Sequence, residues 1–299
     1  MIMSTEDINP SCTDIDALTV EEIFAVLNAE DATVATAVRA AGMDICQAIE
    51  DAIRTLSCGG RLFYAGAGTS GRLGVLDASE MPPTFSVGSD MIQAIIAGGP
   101  AAITTSVEGA EDDEQAGVRA IADLKSGDML IGITASGTTP FVLAALKEAR
   151  RRGIKGWLLS CNDVSCDFVD GTIVVATGPE VVSGSTRLKA GTATKMVLNM
   201  ISTITMIRLG RVYNGYMVDV VPSNAKLRRR ALRIVQELTG CSSNRARELL
   251  ETDQVTGNAK TAILMQLRGV GYQQATEMLR RAGGGLRRAL ELPVIGGEN

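Results

Sequence analysis

Apolar and polar positions change period along the chain, and each change predicts an element. After an irregular stretch over residues 1–18, Thr19-Val-Glu-Glu22 reads as a capping box ahead of Ile23, Val26 and Leu27. Helical spacing then continues through Ala32–Ala41 and Ile45–Leu56 and stops at Gly59-Gly60, which predicts an N-terminal helical arm. Beyond it, short apolar runs alternate with helical segments. Strands are predicted at Arg61–Ala65, Ile92–Ala97, Met129–Thr134, Gly156–Ser160 and Thr172–Ala176, and a helix at Pro140–Arg152. Runs of Ile, Val and Leu separated by helices imply a parallel sheet covered on both faces, hence an α/β fold. Ser183–Met206 reads as a polar loop entering a long buried helix, and Pro222 marks a break. Short helices near Ser243–Glu251, Ala259–Leu267 and Tyr272–Arg281, punctuated by glycines, predict a small helical bundle. The expected division is therefore a helical arm over 1–58, a sheet domain over 59–222 and a helical domain over 223–299.

Two turns stand out against this framework. The strand ending at Tyr64-Ala65 breaks into Gly66-Ala-Gly68-Thr69-Ser70-Gly71, and a helix can open there. Glycines let amides approach an anion closely, hydroxyls add donors, and a helix start carries partial positive charge. Pro82 predicts the end of that helix and would hold Glu80 on a rigid corner. The second turn, Ile133-Thr-Ala-Ser136-Gly137-Thr138-Thr139-Pro140, is another strand end followed by Ser136, Gly137, Thr138 and Thr139, and has the same character. Each turn alone is also what a plain capped helix needs. Their shared place at strand carboxyl ends, where open α/β sheets bind ligands, favours the two ends of a sugar phosphate. A third hydroxyl-rich segment, Val182–Thr192, carries Ser185, Arg187 and Lys189, and suits either anion binding or helix capping and subunit contact.

Composition narrows the chemistry. The 299 residues include no histidine, so proton transfer near neutral pH falls to carboxylates or other groups with shifted pKa values, and His-dependent triads and metal sites are excluded within one chain. Glu80 and Glu111 are the carboxylate pair that suits such work, while Asp112, Asp113 and Glu114 read as a solvated helix start. The six cysteines form no CxxC pair and read as reduced, mostly buried thiols of a cytoplasmic protein. The longest apolar stretch, Met196–Ile207, is too short and too polar to span a membrane. Net charge is −5, divided as −11 before Ser223 and +6 after it. No aromatic residues interleave with Arg228-Arg229-Arg230, so a helix surface facing solvent or a subunit is a better reading of that charge than a nucleic-acid site.

Five separated motifs, GAGTSGRLGVLDASEMPPTF, VEGAEDD, ITASGTTPFV, EVVSGSTRLKAGTATKMVLNMIST and VDVVPSNAKLRRRA, resemble the N-acetylmuramic acid 6-phosphate etherases, sugar isomerase (SIS) domain proteins, from about Leu18 to Glu291. The resemblance implies a flavodoxin-like three-layer SIS domain with a small C-terminal helical domain, a homodimer, and no metal or other cofactor. It implies conversion of N-acetylmuramic acid 6-phosphate and water to N-acetylglucosamine 6-phosphate and D-lactate during cytoplasmic recycling of peptidoglycan. On the matching positions, Glu80 is the group that protonates departing lactate and Glu111 its partner acid/base. Gly68, Thr69, Ser70, Gly71, Ser136, Gly137, Thr138 and Thr139 hold the sugar phosphate, with Ser185 and Lys189 as further contacts. A sugar-phosphate sensor is the alternative and would need the two turns but neither glutamate. An aldose–ketose isomerase is a third, disfavoured by the absence of histidine.

Overall fold

A computed structural model describes residues 4–220, 224–252 and 258–293. They form two compact units, one of residues 4–80 and 89–202, the other of residues 81–88, 203–220, 224–252 and 258–293.

The first unit opens with two short 3-10 turns and then α1 (Val20–Ala32), α2 (Val34–Ala40) and α3 (Gly42–Ser57). The capping box forms as expected: Glu22 N–H donates to Thr19 Oγ1, and the Glu22 carboxylate accepts from Thr19 N–H at 2.8 Å. Five parallel strands follow, β1 (Leu62–Gly66), β2 (Ile92–Ile96), β3 (Met129–Ile133), β4 (Lys155–Ser160) and β5 (Gly171–Val174). They are ordered β2-β1-β3-β4-β5, the doubly wound flavodoxin-like order. The helices between them are α4 (Gly68–Phe85), α5 (Glu114–Ala120) and α6 (Pro140–Arg151), and α7 (Lys189–Arg208) follows the sheet. Strand residues alternate between faces. Phe63, Ala65, Leu130 and Leu158 share a buried cluster with Phe141, Val142 and Leu146 of α6. The opposite face carries Tyr64, against which Gly74 of α4 packs so closely that a Cβ would lie 3.0 Å from the Tyr64 Cβ. Helix α3 is tied to this face by Asp51, a buried carboxylate that accepts from Lys155 Nζ and Trp157 Nε1, each at 2.9 Å.

Two expectations are corrected. Helix α4 does not stop before Pro82 but runs through Pro82 and Pro83 to Phe85. Each of the two interior prolines costs about 3 kcal/mol, and burying Met81 and Phe85 one turn apart returns about 1.5–3 kcal/mol each, which offsets most of that cost. The second correction concerns the cysteines. All six are free, but among them only Cys161 is buried, where desolvation pushes its thiol up to about 12, while Cys46 and Cys58 are exposed.

The second unit holds the two-stranded antiparallel hairpin β6 (Val212–Tyr213) and β7 (Tyr216–Met217), then α8 (Ala225–Thr239), α9 (Ser243–Thr252), α10 (Ala259–Arg268), α11 (Tyr272–Arg281) and α12 (Leu286–Glu291). Its core joins Val218, Ile234, Val235, Leu249, Ile263, Leu264, Met278 and Leu286. Pro222, expected as a break, lies outside the described residues. Among the described residues no helix is long and apolar enough to cross a membrane.

Candidate active site

Strand order decides where a ligand can sit. The order in which strands are added reverses between β1 and β3, with β2 beyond β1 and β4 and β5 beyond β3, and these two strands pair in parallel with Gly66 opposite Ile133. The two turns singled out in the sequence therefore leave adjacent strands at one level, at the topological switch point. After β1, Gly68 adopts φ +52 and α4 begins immediately. Its first turn lies against the strand end: a Cβ on Gly71 would stand 2.6 Å from the Gly66 carbonyl oxygen and 2.7 Å from Ile96 Cγ1. Only bare glycine permits that approach, and it leaves the first amides of α4, with Thr69 and Ser70, at the sheet edge.

The turn after β3 is a closed hydroxyl network. Thr134 Oγ1 lies 2.7 Å from Thr139 Oγ1 and 3.3 Å from Ser136 Oγ, and it accepts from Gly137 N–H at 3.2 Å. Thr138 donates to Ser136 Oγ through both its amide and its hydroxyl. Thr134, expected only as the last residue of a strand, is the buried hub of this network.

Glu111 comes to the same place from a different segment. Its carbonyl oxygen accepts Phe141 N–H at 3.0 Å, which fixes the acidic segment to the start of α6, directly after the hydroxyl turn. Its residue lines a cavity of about 140 Å³ with Gly68, Arg72, Glu108 and Gly109. Arg72 was also missed; its Nε donates to the carbonyls of Ala102 and Ile103, so that it stands one turn into α4 beside Glu111. Asp113 serves as the N-cap of α5, accepting from Ala116 N–H at 2.7 Å, in line with the solvated helix start expected there.

Glu80 is not brought to this cavity. It lies exposed near the far end of α4, and the helical rise of 1.5 Å per residue puts it about 18 Å along the axis from Gly68. One turn before it, buried Asp77 accepts from Tyr64 OH, Asn199 Nδ2 and Ser202 Oγ at 3.1, 2.8 and 3.0 Å, holding α4 to β1 and α7. Burial raises the Asp77 carboxyl above its ordinary value, and the three donors offset only part of that shift.

The third segment has its own tenant. Fully buried Glu180 accepts the Lys189 and Ala190 amides at the start of α7, each at 2.9 Å, so this helix start is already capped by a carboxylate. Lys189, expected to contact substrate, is 3% exposed and spends its ammonium on Glu30 Oε2 at 2.6 Å. Burial acts to raise the Glu30 carboxyl, but the hydrogen bonds from Lys189 and Asn9 outweigh it and hold the carboxyl below its ordinary value. Ser185 remains half-buried, and Gly191 of α7 faces the first turn, where a Cβ would lie 3.6 Å from Thr69 Cγ2.

Comparison with known proteins places this geometry. Residues 44–150 match the glucokinase regulatory protein N-terminal SIS domain, and residues 214–260 match the C-terminal lid domain of glucokinase regulatory protein. Over nearly its whole length the chain is 48% identical to the N-acetylmuramic acid 6-phosphate etherase of Rhizobium rhizogenes, covering 96% of this chain and 94% of that one. The chain belongs to the N-acetylmuramic acid 6-phosphate etherase family. The etherase of Geobacillus thermodenitrificans is equally similar, 48% identical over 97% of this chain and 99% of the relative, and that of Mycolicibacterium smegmatis is 46% identical over 96% and 97%. For an etherase-family chain, the regulatory-protein matches describe the kind of domain, whereas the full-length relatives carry the name. The fold expected from the sequence, a parallel sheet of SIS type followed by helices, is what the structure has.

Proposed function

We propose that this chain is an N-acetylmuramic acid 6-phosphate etherase, a carbon–oxygen lyase that releases D-lactate and leaves N-acetylglucosamine 6-phosphate during recycling of cell-wall amino sugars in the cytoplasm. The observation that carries the reading is the lining of one cavity by Glu111 and by Gly68 of the glycine turn, at a switch point whose neighbouring strand ends in the hydroxyl network. A sensor would need the turns but not a carboxylate beside them.

The residues suit the chemistry as follows. Amides of the first turn, with Thr69, Ser70, Ser136 and Thr139, hold the sugar phosphate through charge-assisted hydrogen bonds. In the open-chain sugar, C1 is an aldehyde, so the C2 proton is acidic and the lactyl oxygen on C3 is a β-leaving group. Glu111 takes the C2 proton as the C3–O bond breaks, and the carboxyl of Glu80 gives its proton to the departing lactate oxygen, in a syn elimination. Water then adds at C3 and a proton returns to C2, with the same two groups acting in reverse. Substrate and one water are thereby converted to the two products with no redox change.

The same geometry supports a homodimer. The cavity of about 140 Å³ is smaller than the 300–1,000 Å³ usual for a site enclosing an organic ligand. Glu80, some 18 Å along α4 from Gly68, is outside the cavity lining, and a second copy would bring this carboxyl to a sugar held at Glu111. The exposed apolar side chains of Leu76, Met200 and Ile204 on α4 and α7 suit such a contact.

Incubation with N-acetylmuramic acid 6-phosphate in deuterated, ¹⁸O-labelled water tests the reading. D-lactate should appear, with deuterium at C2 and solvent oxygen at C3 of the amino sugar. Absence of lactate, or retention of the original C3 oxygen, overturns it.

A further inference from the structure

The second unit carries a cavity larger than the one beside Glu111, about 590 Å³. Its wall is shared by the end of α7, the β6–β7 hairpin and the start of α12. Arg208, Arg287 and Arg288 stand on it with Tyr213, and no aspartate or glutamate lines it. Elsewhere in this unit cations find acids: Lys260 and Arg211 share Asp219, Arg245 pairs with Glu248 and Arg280 with Glu277. Among the described residues, Arg208, Arg287 and Arg288 enter no ion pair.

Arg287 and Arg288 are nonetheless held in place. Arg287 Nη2 donates to Asn214 Oδ1 at 2.8 Å, and its guanidinium carbon lies 5.0 Å from the centre of the Tyr213 ring. Both contacts orient the guanidinium and neither neutralises it. Arg288 lies along the bare backbone of Gly283 and Gly285, where a Cβ on Gly285 would sit 3.1 Å from Arg288 Nε. The cavity wall is rigid at its base: Gly210, at φ +77, approaches Gly285 so closely that a Cβ would be 2.6 Å from its Cα. The hairpin turn is fixed by Asn214 and Gly215, both at positive φ.

Three like charges facing one concavity without a counter-charge repel one another, and a bound anion relieves that repulsion. A guanidinium presents a planar fork that matches a phosphate with two parallel hydrogen bonds. The cavity exceeds what an inorganic ion fills and falls in the range for small organic ligands, and Ile207, Val212 and Leu286 give its wall an apolar part. We propose that this cavity, which shares no lining residue with the one beside Glu111, is a second ligand site that takes a phosphate monoester of a small organic molecule. The inference uses residues of one unit only and does not depend on the etherase reading.

Calorimetric titration of the full chain at low ionic strength, with glucose 6-phosphate and with inorganic phosphate as probes, tests it. The wild-type protein should show a class of sites for the ester that persists in Ser136→Ala, so that binding at the sheet edge is told apart. That class should weaken about tenfold or more in Arg208→Gln/Arg288→Gln, the loss expected when hydrogen bonds to a charged group are removed. The milder pair Arg208→Lys/Arg288→Lys keeps the charge but not the fork, and should retain part of the affinity. Hydrogen exchange on the wild-type protein gives an independent reading: the ester should protect amides of residues 208–216 and 283–289. Unchanged ester binding in a folded glutamine pair, no protection of those amides, or inorganic phosphate binding as tightly as the ester would each overturn the proposal.

Discussion

Gly137→Ala probes the hydroxyl turn from the inside. Gly137 sits at φ +82, and a Cβ there would lie 2.4 Å from Val164 Cγ1 and 3.0 Å from Ser160 Oγ. An L-residue in the left-handed region costs about 1–2 kcal/mol, and overpacking against a fixed neighbour about 1–3 kcal/mol, so the variant should lose about 2–5 kcal/mol. For a unit of this size each kcal/mol lowers the melting temperature by about 2–4 °C, which puts the expected shift near 10 °C in a thermal scan. The two contributions separate in a second variant. Val164→Ala removes the methyl groups that meet the new Cβ, so adding Gly137→Ala to it should cost only the backbone strain, about 1–2 kcal/mol. Function should follow, because Gly137 N–H donates to Thr134 Oγ1 at 3.2 Å, and moving the turn disturbs every hydroxyl in that network. The Michaelis constant for N-acetylmuramic acid 6-phosphate should rise about tenfold or more in Gly137→Ala, the size of a lost hydrogen bond to a charged group. A Gly137→Ala protein as stable as wild type would refute the strain argument. An equal loss with and without Val164→Ala would refute the clash.

Glu111→Gln keeps the shape of an exposed side chain but cannot take a proton, so lactate release should fall about 10²–10⁴-fold with the melting temperature unchanged; retained activity rules out its role. Because burial raises the Asp77 carboxyl in the folded chain, its contribution to stability is fully present below its unfolded-state pKa and is lost as pH rises through the folded value. Asp77→Asn should therefore gain stability relative to wild type as pH rises above the unfolded-state value of about 4, and denaturant melts that show the opposite trend would contradict this. Lys260→Met leaves buried Asp219 with only Arg211, at 3.3 Å, in place of the 2.7 Å contact from Lys260 Nζ, and should cost up to about 3–5 kcal/mol, the upper end applying if Arg211 does not move closer. Lys260→Met with Asp219→Leu should be close to neutral, since burial already pushes the Lys260 ammonium down; exchange of the Lys260 amide, bonded to the Val218 carbonyl, reports on both variants. Light scattering should find a dimer under assay conditions, and a fully active monomer would exclude a site completed by a second copy.

What the sequence determined by itself was local. The five strands lie within a residue or two of their expected places because each is a short apolar run bounded by turn residues. The anion-suited turns were legible for the same reason, as glycines and hydroxyls at strand ends describe their own backbone. Local signals also misled. Pro82 and Pro83 argue for a helix end, yet α4 runs past them to Phe85, with Met81 and Phe85 buried on either side of the pair. The Asn214-Gly215 hairpin had a local signal that was passed over, in a region dominated by helix patterns. The remaining features were decided by tertiary structure because they join residues far apart in the chain. Strand order set the two turns side by side, the Phe141 amide brought Glu111 to them, and the length of α4 kept Glu80 away. Lys189 read as a free cation beside hydroxyls until the fold delivered Glu30 from 159 positions away and Glu180 to the same helix start. A charge pattern in sequence states which groups are present, and the burial that fixes their partners belongs to the folded chain.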